Sequence, residues 1–263
     1  MSYKTGLREK LADGRFVLGT HVSAGHPMIT EILGKAGFDA IWIDTEHTAI
    51  DKSTLLLNII AAQGAGAAAV VRIPWNDPVL AKPVLEMGVD GIVFPYVRNA
   101  SEAKLAVSSC LYPPEGIRGF GPIRATEYGN TDTMDYINNK SKNVLKIIQV
   151  EHIDAVDNLD DILAIPHMDA IVIGPNDFSG SLGLLGQPMH PDVKKYFPVI
   201  AEKCKQAGKP FGVSTGYDPN NTEGTKYWLE LGADFMFLGG DTAYVMNGAR
   251  LTINGVIELK GVS

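Results

Sequence analysis

The stretch IPHMDAIVIGPNDFSG, residues 165–180, indicates the fold because it joins a buried strand to a polar corner. Residues 170–173 are apolar without interruption, which is typical of a strand covered on both faces. The corner that follows, residues 174–177, consists of Gly, Pro, Asn and Asp. These are the usual turn residues, so turn chemistry alone could explain them. The rest of the chain must decide whether Asp177 caps the next helix or has a chemical role.

The same local pattern, an Asp just before a short apolar run, occurs at three other places. These are KAGFDAIWID at residues 35–44, EMGVDGIVFP at 86–95 and ELGADFMFLG at 230–239. Four more apolar runs alternate with them, namely FVLGTHV, AAVVRIP, VLKIIQV and PFGVS. The sequence therefore predicts eight strands.

Helical segments are expected between these strands, at residues 28–36, 52–63, 78–87, 101–111, 155–165, 191–207 and 222–231. Strict alternation of strands and helices argues for a parallel sheet. Eight such units in one chain of this length predict a closed (β/α)₈ TIM barrel, a single domain over residues 1–263. An open doubly wound sheet is the alternative, but it would normally carry a glycine-rich dinucleotide turn after the first strand. The irregular stretch at residues 112–131 interrupts the alternation, and loops of that length are often functional.

The composition narrows the class of partner. The 263 residues are 45% hydrophobic and 20% charged, with a formal net charge of −7. A large core is therefore expected, and nucleic acid or an anionic membrane is disfavoured as the main partner. The two cysteines are far apart, and no apolar segment resembles a signal peptide or a membrane span, so we expect a cytoplasmic protein.

Active sites of such barrels form where the strands end. Polar residues occur at every predicted strand end: His21; Asp44, Glu46 and His47; Arg72; Tyr96 and Arg98; Gln149 and Glu151; Asp177; Ser214 and Thr215; and Asp241. Each alone has a plain structural explanation, such as a helix cap or an ion pair, and Asp241 resembles an N-cap. Their convergence on one barrel mouth favours a functional site.

Glu151 and Asp177 follow adjacent strands, and two carboxylates with open positions suit magnesium or manganese. Arg72 beside such a metal could stabilise an enolate oxygen, while His47 with Asp44 offers a base and an orienting acid. A glycosidase acid–base pair is the alternative. A Schiff-base mechanism would need an amine at the carboxyl ends of the strands. Lys146 does not supply it, because it lies at the beginning of the fifth strand.

Several long phrases identify the chain as resembling the HpcH/HpaI family of metal-dependent class II 2-oxo-acid aldolases. They are AGFDAIWIDTEH, VVRIPWNDPVLAKPVLEMGVDGIVFPYV, YPPEGIRGFG, IIQVEHIDAV and IGPNDFSGSLG. The resemblance extends over roughly residues 14–257. It implies cleavage of a 4-hydroxy-2-oxo acid to pyruvate and an aldehyde.

The resemblance also implies roles for individual residues. Glu151 and Asp177 would bind one divalent cation per subunit, Mg²⁺, Mn²⁺ or Co²⁺. Arg72 would hold the oxo oxygen and the pyruvate enolate. His47 would act as acid and base with a water on the metal, and Asp44 would be its carboxylate partner.

Other positions implied by the resemblance surround these residues. Substrate-binding positions would be Gln149, Gly174, Pro175, Asn176 and Ser214, the glycine–proline corner receiving the pyruvate carboxylate. Glu86 would reach the site across a subunit interface. Family members are typically hexamers, trimers of dimers, that exchange a C-terminal helix between subunits.

This sequence departs from the family pattern at positions expected to shape the aldehyde pocket. His21 stands where relatives often have tryptophan, and Ser214 replaces an aliphatic residue. Arg124 matches a loop arginine, whereas Tyr128 is additional. The sequence therefore does not identify the acceptor aldehyde. Related enolate chemistry, a decarboxylating condensation like that of citrate synthases or macrophomate synthase, is the second hypothesis. A metabolite-binding barrel without catalysis is the third.

Overall fold

The computed structural model describes residues 6–261, so the ends of the expected domain, residues 1–5 and 262–263, lie outside it. Eight parallel strands form a closed barrel in chain order, which confirms the predicted (β/α)₈ fold. The strands are β1 (Val17–Val22), β2 (Ala40–Asp44), β3 (Ala68–Arg72), β4 (Gly91–Phe94), β5 (Leu145–Val150), β6 (Ala170–Ile173), β7 (Phe211–Thr215) and β8 (Phe235–Gly240).

Helices precede, connect and follow the strands. They are α1 (Leu7–Ala12), α2 (Pro27–Ala36), α3 (Lys52–Gly64), α4 (Pro78–Glu86), α5 (Ala100–Cys110), α6 (Thr133–Asn138), α7 (Ile153–Asp157), α8 (Leu159–Leu163), α9 (Pro175–Ser181), α10 (Pro191–Lys194), α11 (Phe197–Gln206), α12 (Glu223–Glu230) and α13 (Asp241–Lys260). Within residues 6–261, none of them combines the length and apolar character needed to cross a bilayer.

Two segments predicted as single helices are each broken in two. The helix expected at residues 155–165 is interrupted at Asn158, whose side-chain amide donates to the carbonyls of Asp154 and Arg98. Such a side chain competes with the helical backbone. The helix expected at residues 191–207 is interrupted before Pro198, which has no N–H to donate to the preceding turn.

The barrel interior is filled by alternate residues of each strand. Its apolar layers include Trp42, Phe235 and Phe237, all buried. Glycines make room for these rings, since a Cβ at Gly19 would lie 2.4 Å from the Phe237 side chain and one at Gly212 2.4 Å from that of Phe235. At the carboxyl ends of the strands the same alternation continues with polar residues. This uppermost inward layer comprises His21, Asp44, Arg72, Gln149, Gly174 and Ser214.

The four aspartates of the repeated pattern have one structural role at the opposite, N-terminal rim. Each precedes an even-numbered strand, and its side chain accepts the backbone N–H of the first or second residue in the preceding odd-numbered strand. The pairs are Asp39 with Leu18, Asp90 with Ala69, Asp169 with Lys146, and Asp234 with Phe211. The repeat seen in the sequence is thus a fourfold strand-to-strand connection.

Lys146 lies at this N-terminal rim, as its sequence position predicts. Its ammonium is 2.8 Å from the Asp169 carboxylate and donates to the Val144 carbonyl. It is therefore at the end of the barrel away from the polar layer. Asp241, interpreted from the sequence as an N-cap, is instead the first residue of α13, and its buried carboxylate accepts the backbone N–H groups of Ser23 and Ala24.

Helix α13 contacts its own barrel only near its start. From Val245 to Lys260 every residue is exposed, including Val245, Met246, Leu251, Ile253, Val256 and Ile257. An apolar groove of about 560 Å³ lies beside β1 and β8, and its lining includes Phe16, Leu18, Leu33, Phe38, Leu229 and Leu238. The chain thus has an exposed apolar helix face, on α13, and a separate apolar groove, beside β1 and β8.

Candidate active site

Arg72 at the end of β3 is fixed by the carboxylate at the end of β2. Its Nε donates to Asp44 Oδ1 at 2.9 Å and its Nη2 to Asp44 Oδ2 at 2.7 Å. The guanidinium also lies over the Trp42 ring, 5.5 Å from the centroid. Burial acts to lower the pKa of Arg72, but the hydrogen bonds and charge of Asp44 raise it above its usual value. Arg72 is therefore a fixed positive charge at the barrel mouth.

Asp44 is the partner of Arg72, which corrects the expectation that it orients His47. Both Asp44 oxygens accept from Arg72, and Oδ1 also accepts the backbone N–H of Glu46. Burial alone would raise the pKa of Asp44, but the hydrogen bonds from Arg72 bring it below its ordinary value. The two side chains form one rigid unit because β2 and β3 pair directly, with Asp44 opposite Arg72.

Glu46 is a site residue to which the sequence reasoning gave no role. One of its oxygens lies 2.9 Å from Arg72 Nη1 and 3.7 Å from His47 Nε2. Burial raises the pKa of Glu46, and the charges of Asp44 and Asp177 add to this shift. Its position beside His47 in the Thr-Glu-His turn was the available signal. The exposed His47 ring thus has Glu46, rather than Asp44, as its neighbouring carboxylate.

Glu151, directly after β5, is buried and held in place by two donors. The backbone N–H of Tyr96 donates to Oε1 at 2.7 Å, and Gln149 Nε2 donates to Oε2 at 2.5 Å. Burial raises the pKa of Glu151 to about 8, and the negative charges of Glu46 and Asp177 act in the same direction. Gly174 leaves room for this arrangement, since a Cβ there would lie 2.7 Å from Gln149 Nε2 and 2.9 Å from Glu151 Oε2.

Asp177 lies in the first turn of α9 and is partly exposed. Its charge raises the pKa of both Glu151 and Glu46, so the three carboxylates face a common space. The corner that carries it has a buried Pro175 and an exposed Asn176. The structure thus places Asp177 and Glu151 around one space with Glu46, which lies against Arg72.

The donor set at this mouth fits a hard divalent cation. The charges of Glu46 and Asp177 both raise the pKa of the buried Glu151, so the site carries excess negative charge that a cation would neutralise. Among residues 6–261 no cluster of three or more His, Cys, Asp or Glu side chains has metal-binding geometry. Glu151 and Asp177 could therefore supply two oxygen ligands, with the other positions open to water and substrate, as magnesium commonly has.

Residues 17–248 match the model of the HpcH/HpaI aldolase/citrate lyase family. The chain belongs to this family. It is 39% identical over 232 residues to the 5-keto-4-deoxy-D-glucarate aldolase of Escherichia coli strain K12, an alignment that covers 88% of each protein. The sequence-based recognition of the family is thereby confirmed.

Solved structures of HpcH/HpaI proteins have the same fold. The HpcH/HpaI aldolase from Desulfitobacterium hafniense DCB-2 superimposes with a TM-score of 0.89 at 29% identity, covering 98% of both chains. The citrate synthase SbnG superimposes with a TM-score of 0.83 at 28% identity, covering 98% of this chain and 99% of that one. The same fold thus occurs in an aldolase of this family and in a citrate synthase.

Two of the four positions expected to shape the aldehyde pocket, His21 and Ser214, are joined at the mouth. His21 Nε2 and Ser214 Oγ are 2.8 Å apart, and His21 also lies edge-on to Trp42 with ring centroids 5.5 Å apart. Since Trp42 is also beneath Arg72, the histidine–serine pair is one side chain away from the guanidinium.

Arg124 does not line the mouth of its own barrel, so its expected place in an acceptor pocket requires a second subunit and stays a prediction. Its guanidinium donates to the Met87 carbonyl at 2.5 Å and to Gln63 Oε1 at 2.6 Å. Both partners lie where helices α3 and α4 end, and these helices run from the mouth towards the N-terminal rim. Arg124 therefore stabilises the far side of the barrel. Tyr128 is 67% exposed and has a left-handed backbone.

Glu86, the last residue of α4, also lies away from the mouth of its own barrel. It forms an ion pair of 3.1 Å with Arg118, whose buried guanidinium also donates to Tyr136 Oη. Glu86 Oε2 is buried and has no hydrogen-bond partner among the described residues. A role in catalysis thus requires a second subunit, and the contribution of Glu86 across an interface stays a prediction.

Proposed function

We propose that this HpcH/HpaI protein is a divalent-metal-dependent aldolase, a carbon–carbon lyase that cleaves a 4-hydroxy-2-oxo acid to pyruvate and an aldehyde. The observation that carries this proposal is the fixed Arg72 beside the carboxylates of Glu151 and Asp177. A positive charge and a hard-cation site lie together where the enolate oxygen would gain negative charge. Both would stabilise that charge electrostatically. Its relative from Escherichia coli is an aldolase by name.

Glu151 and Asp177 would hold one Mg²⁺, Mn²⁺ or Co²⁺ per subunit, a Lewis acid for the oxo acid. Arg72 uses its Nε and Nη2 on Asp44 and faces Glu46 through Nη1. A guanidinium has five N–H groups, so others are free to donate to the oxo oxygen. Arg72 thereby stabilises the negative charge that this oxygen gains.

His47 is the candidate base because it is exposed at the mouth next to Glu46. It would take the proton of the C4 hydroxyl, which becomes the carbonyl of the aldehyde. The C3–C4 bond breaks, and its electron pair forms the enolate of pyruvate. Protonation at C3 then gives pyruvate. The corner of Gly174, Pro175 and Asn176, with Gln149 beside it, would receive the substrate carboxylate.

The test is a retro-aldol panel of 4-hydroxy-2-oxo acids with enzymatic detection of pyruvate. The panel includes 5-keto-4-deoxy-D-glucarate, for which relatives are named. We expect activity to disappear after chelation and to return with Mg²⁺, Mn²⁺ or Co²⁺. Full activity of the chelated protein would contradict metal dependence. Arg72→Ala should lose about 10²-fold or more, whereas Arg15→Ala, at an exposed position, should not.

A decarboxylating condensation is the second candidate, and the similarity to the citrate synthase SbnG favours considering it. Both reactions use the same enolate, so loss of CO₂ from oxaloacetate would not separate them. Incubation of pyruvate with a panel of aldehydes would do so, because only the aldolase forms 4-hydroxy-2-oxo acids from them. Product formation from oxaloacetate and a 2-oxo acid alone would favour the condensation.

We further propose that the protein is a cytoplasmic homo-oligomer, with a hexamer as the expected state, in which α13 is exchanged between subunits. The exposed apolar face of α13 and the apolar groove beside β1 and β8 complement each other. Burial of both would remove apolar surface from water. Removal of residues 245–263 should lower the number of subunits per particle, as measured by native mass spectrometry. An unchanged number of subunits would contradict the exchange.

A further inference from the structure

His21 and Ser214 occupy the uppermost inward layer of the barrel, on either side of β8. His21 belongs to β1 and Ser214 to β7, and both strands pair with β8. The same layer contains Asp44, at the end of β2, and Gly174, directly after β6. These strands pair with β1 and β7, respectively. The pair therefore completes the wall around the space between Arg72 and the carboxylates.

The hydrogen bonds of this pair have a defined direction. His21 Nδ1 lies 2.6 Å from the Gly239 carbonyl oxygen, which can only accept, so Nδ1 carries the proton. Burial lowers the pKa of His21, and the positive charge of Arg72 acts in the same direction. The ring is therefore neutral near pH 7, and its Nε2 has a free lone pair. The Ser214 hydroxyl must then donate its proton to Nε2 across 2.8 Å.

The backbone fixes this arrangement. The pairing of β1 with β8 shifts register between Gly19 and His21, and Gly239 in the shifted region has a φ of 64°. A Cβ at Gly239 would lie 2.5 Å from Tyr244 Oη. Only glycine suits this irregularity, which aims the Gly239 carbonyl at the histidine.

We propose that Ser214, with its proton committed to His21, recognises a hydroxyl group of the substrate by accepting its hydrogen bond. Within residues 6–261 no protein group donates to Ser214 Oγ, so its lone pairs are available to a ligand. A substrate O–H satisfies them, whereas a carbonyl or carboxylate oxygen would face only lone pairs. The ligand class is a 4-hydroxy-2-oxo acid with a second hydroxyl group besides the reacting one at C4, and the inference rests on the proposed aldolase function.

The hydroxyl group could belong to either half of the substrate, so the experiment has two arms. The donor arm compares 3-hydroxypyruvate with pyruvate, by NMR measurement of C3 hydrogen exchange in D₂O without aldehyde. The acceptor arm compares glycolaldehyde with acetaldehyde in aldol addition of pyruvate. In each arm the measured quantity is the ratio of kcat/KM for the hydroxylated compound to that for the compound without the hydroxyl.

We expect Ser214→Ala to lower this ratio about tenfold in one arm, the loss typical of a single hydrogen bond. Ser214→Thr should retain the ratio, since it keeps the hydroxyl. His21→Phe should lower the ratio similarly, and the double variant should lose little more, because the two side chains act as one unit. Far-ultraviolet circular dichroism checks that each variant is folded.

A ratio that Ser214→Ala leaves unchanged in both arms would overturn the recognition role. This includes the case in which kcat/KM falls equally for the compounds with and without the hydroxyl group. Those results would leave the aldolase assignment intact, because the wild type would still exchange C3 hydrogens and form aldol products. A wild type that does neither with any pair would overturn the proposed function, and this inference with it.

Discussion

Asp44 holds Arg72 through two parallel hydrogen bonds of 2.9 and 2.7 Å, in the side-by-side geometry that a carboxylate and a guanidinium favour. Bidentate pairs of this kind fix orientation as well as position. The pair sits on adjacent positions of β2 and β3, so the barrel itself sets its geometry. The charge that would stabilise the enolate is thus pre-oriented before substrate arrives, which reduces reorganisation during the reaction.

Asp44→Asn tests this relationship with little change in shape. An amide can accept only one of the two hydrogen bonds from Arg72, and its NH₂ group would face the guanidinium. We expect kcat for pyruvate release to fall about tenfold or more, the direction that loss of a fixed oxyanion donor predicts. The matched control is Asp51→Asn, at an exposed helix N-cap where asparagine is also a good cap. Equal rates for the two variants would show that Arg72 needs no partner.

Gly174→Ala tests whether the space beside Glu151 is required. The added methyl group would lie within 3 Å of both Gln149 Nε2 and Glu151 Oε2, so the two side chains must move. We expect weaker Mn²⁺ binding by calorimetry and loss of most retro-aldol activity, with the fold retained. Gly224→Ala is the control, because a Cβ there contacts nothing within 4 Å. Unimpaired Mn²⁺ binding by the Gly174 variant would contradict this account.

The barrel and much of the site could be predicted because they depend on local patterns. The Asp before each apolar run reflects a hydrogen bond between neighbouring strands, as Asp169 with Lys146 shows. Parallel strands place their carboxyl ends at one rim, so Arg72, Glu151 and Asp177 had to converge there once the fold was known. Resemblance to the HpcH/HpaI family then gave them roles.

The contacts within the site could not be predicted, because they depend on side-chain direction. The sequence shows Asp44 and His47 three residues apart, but not that both Asp44 oxygens turn towards Arg72 on the next strand. It shows Arg124 in a polar loop, but not that its guanidinium reaches carbonyls at the other end of the barrel. The hydrogen bond between His21 and Ser214 joins residues 193 positions apart.

The raised pKa of Glu151 predicts how the stability of the metal-free protein changes with pH. This carboxyl group has a pKa of about 8 when folded, against an ordinary value of 4.5. Between these values the native state keeps a proton that the unfolded chain releases, so the free energy of unfolding decreases as pH rises. We expect the Tm of the chelated wild type to fall from pH 5 to 8 relative to that of Glu151→Gln, which cannot ionise. Parallel Tm profiles would show that Glu151 titrates normally.

The N-terminal rim should contribute to stability without contributing to catalysis. Asp169 pairs with Lys146, whose side chain is 2% exposed, and with Arg8 at 2.8 Å. Asp169→Asn would keep the backbone hydrogen bond but leave a buried ammonium without its counter-ion, which typically costs about 3 kcal/mol or more. Asp234→Asn makes the same change in the equivalent position of β8, which has no buried lysine.

We therefore expect urea denaturation to show a much larger loss of unfolding free energy for the Asp169 variant than for the Asp234 variant. The Asp234 variant should lose about 1 kcal/mol or less. Both should retain the wild-type kcat and KM at a temperature where they are folded, because the rim lies at the end of the barrel away from Arg72. A matched loss of stability in the two variants would mean that the ion pair with Lys146 adds nothing to the backbone connection. A fall in kcat of either folded variant would show that changes at the rim affect the site around Arg72.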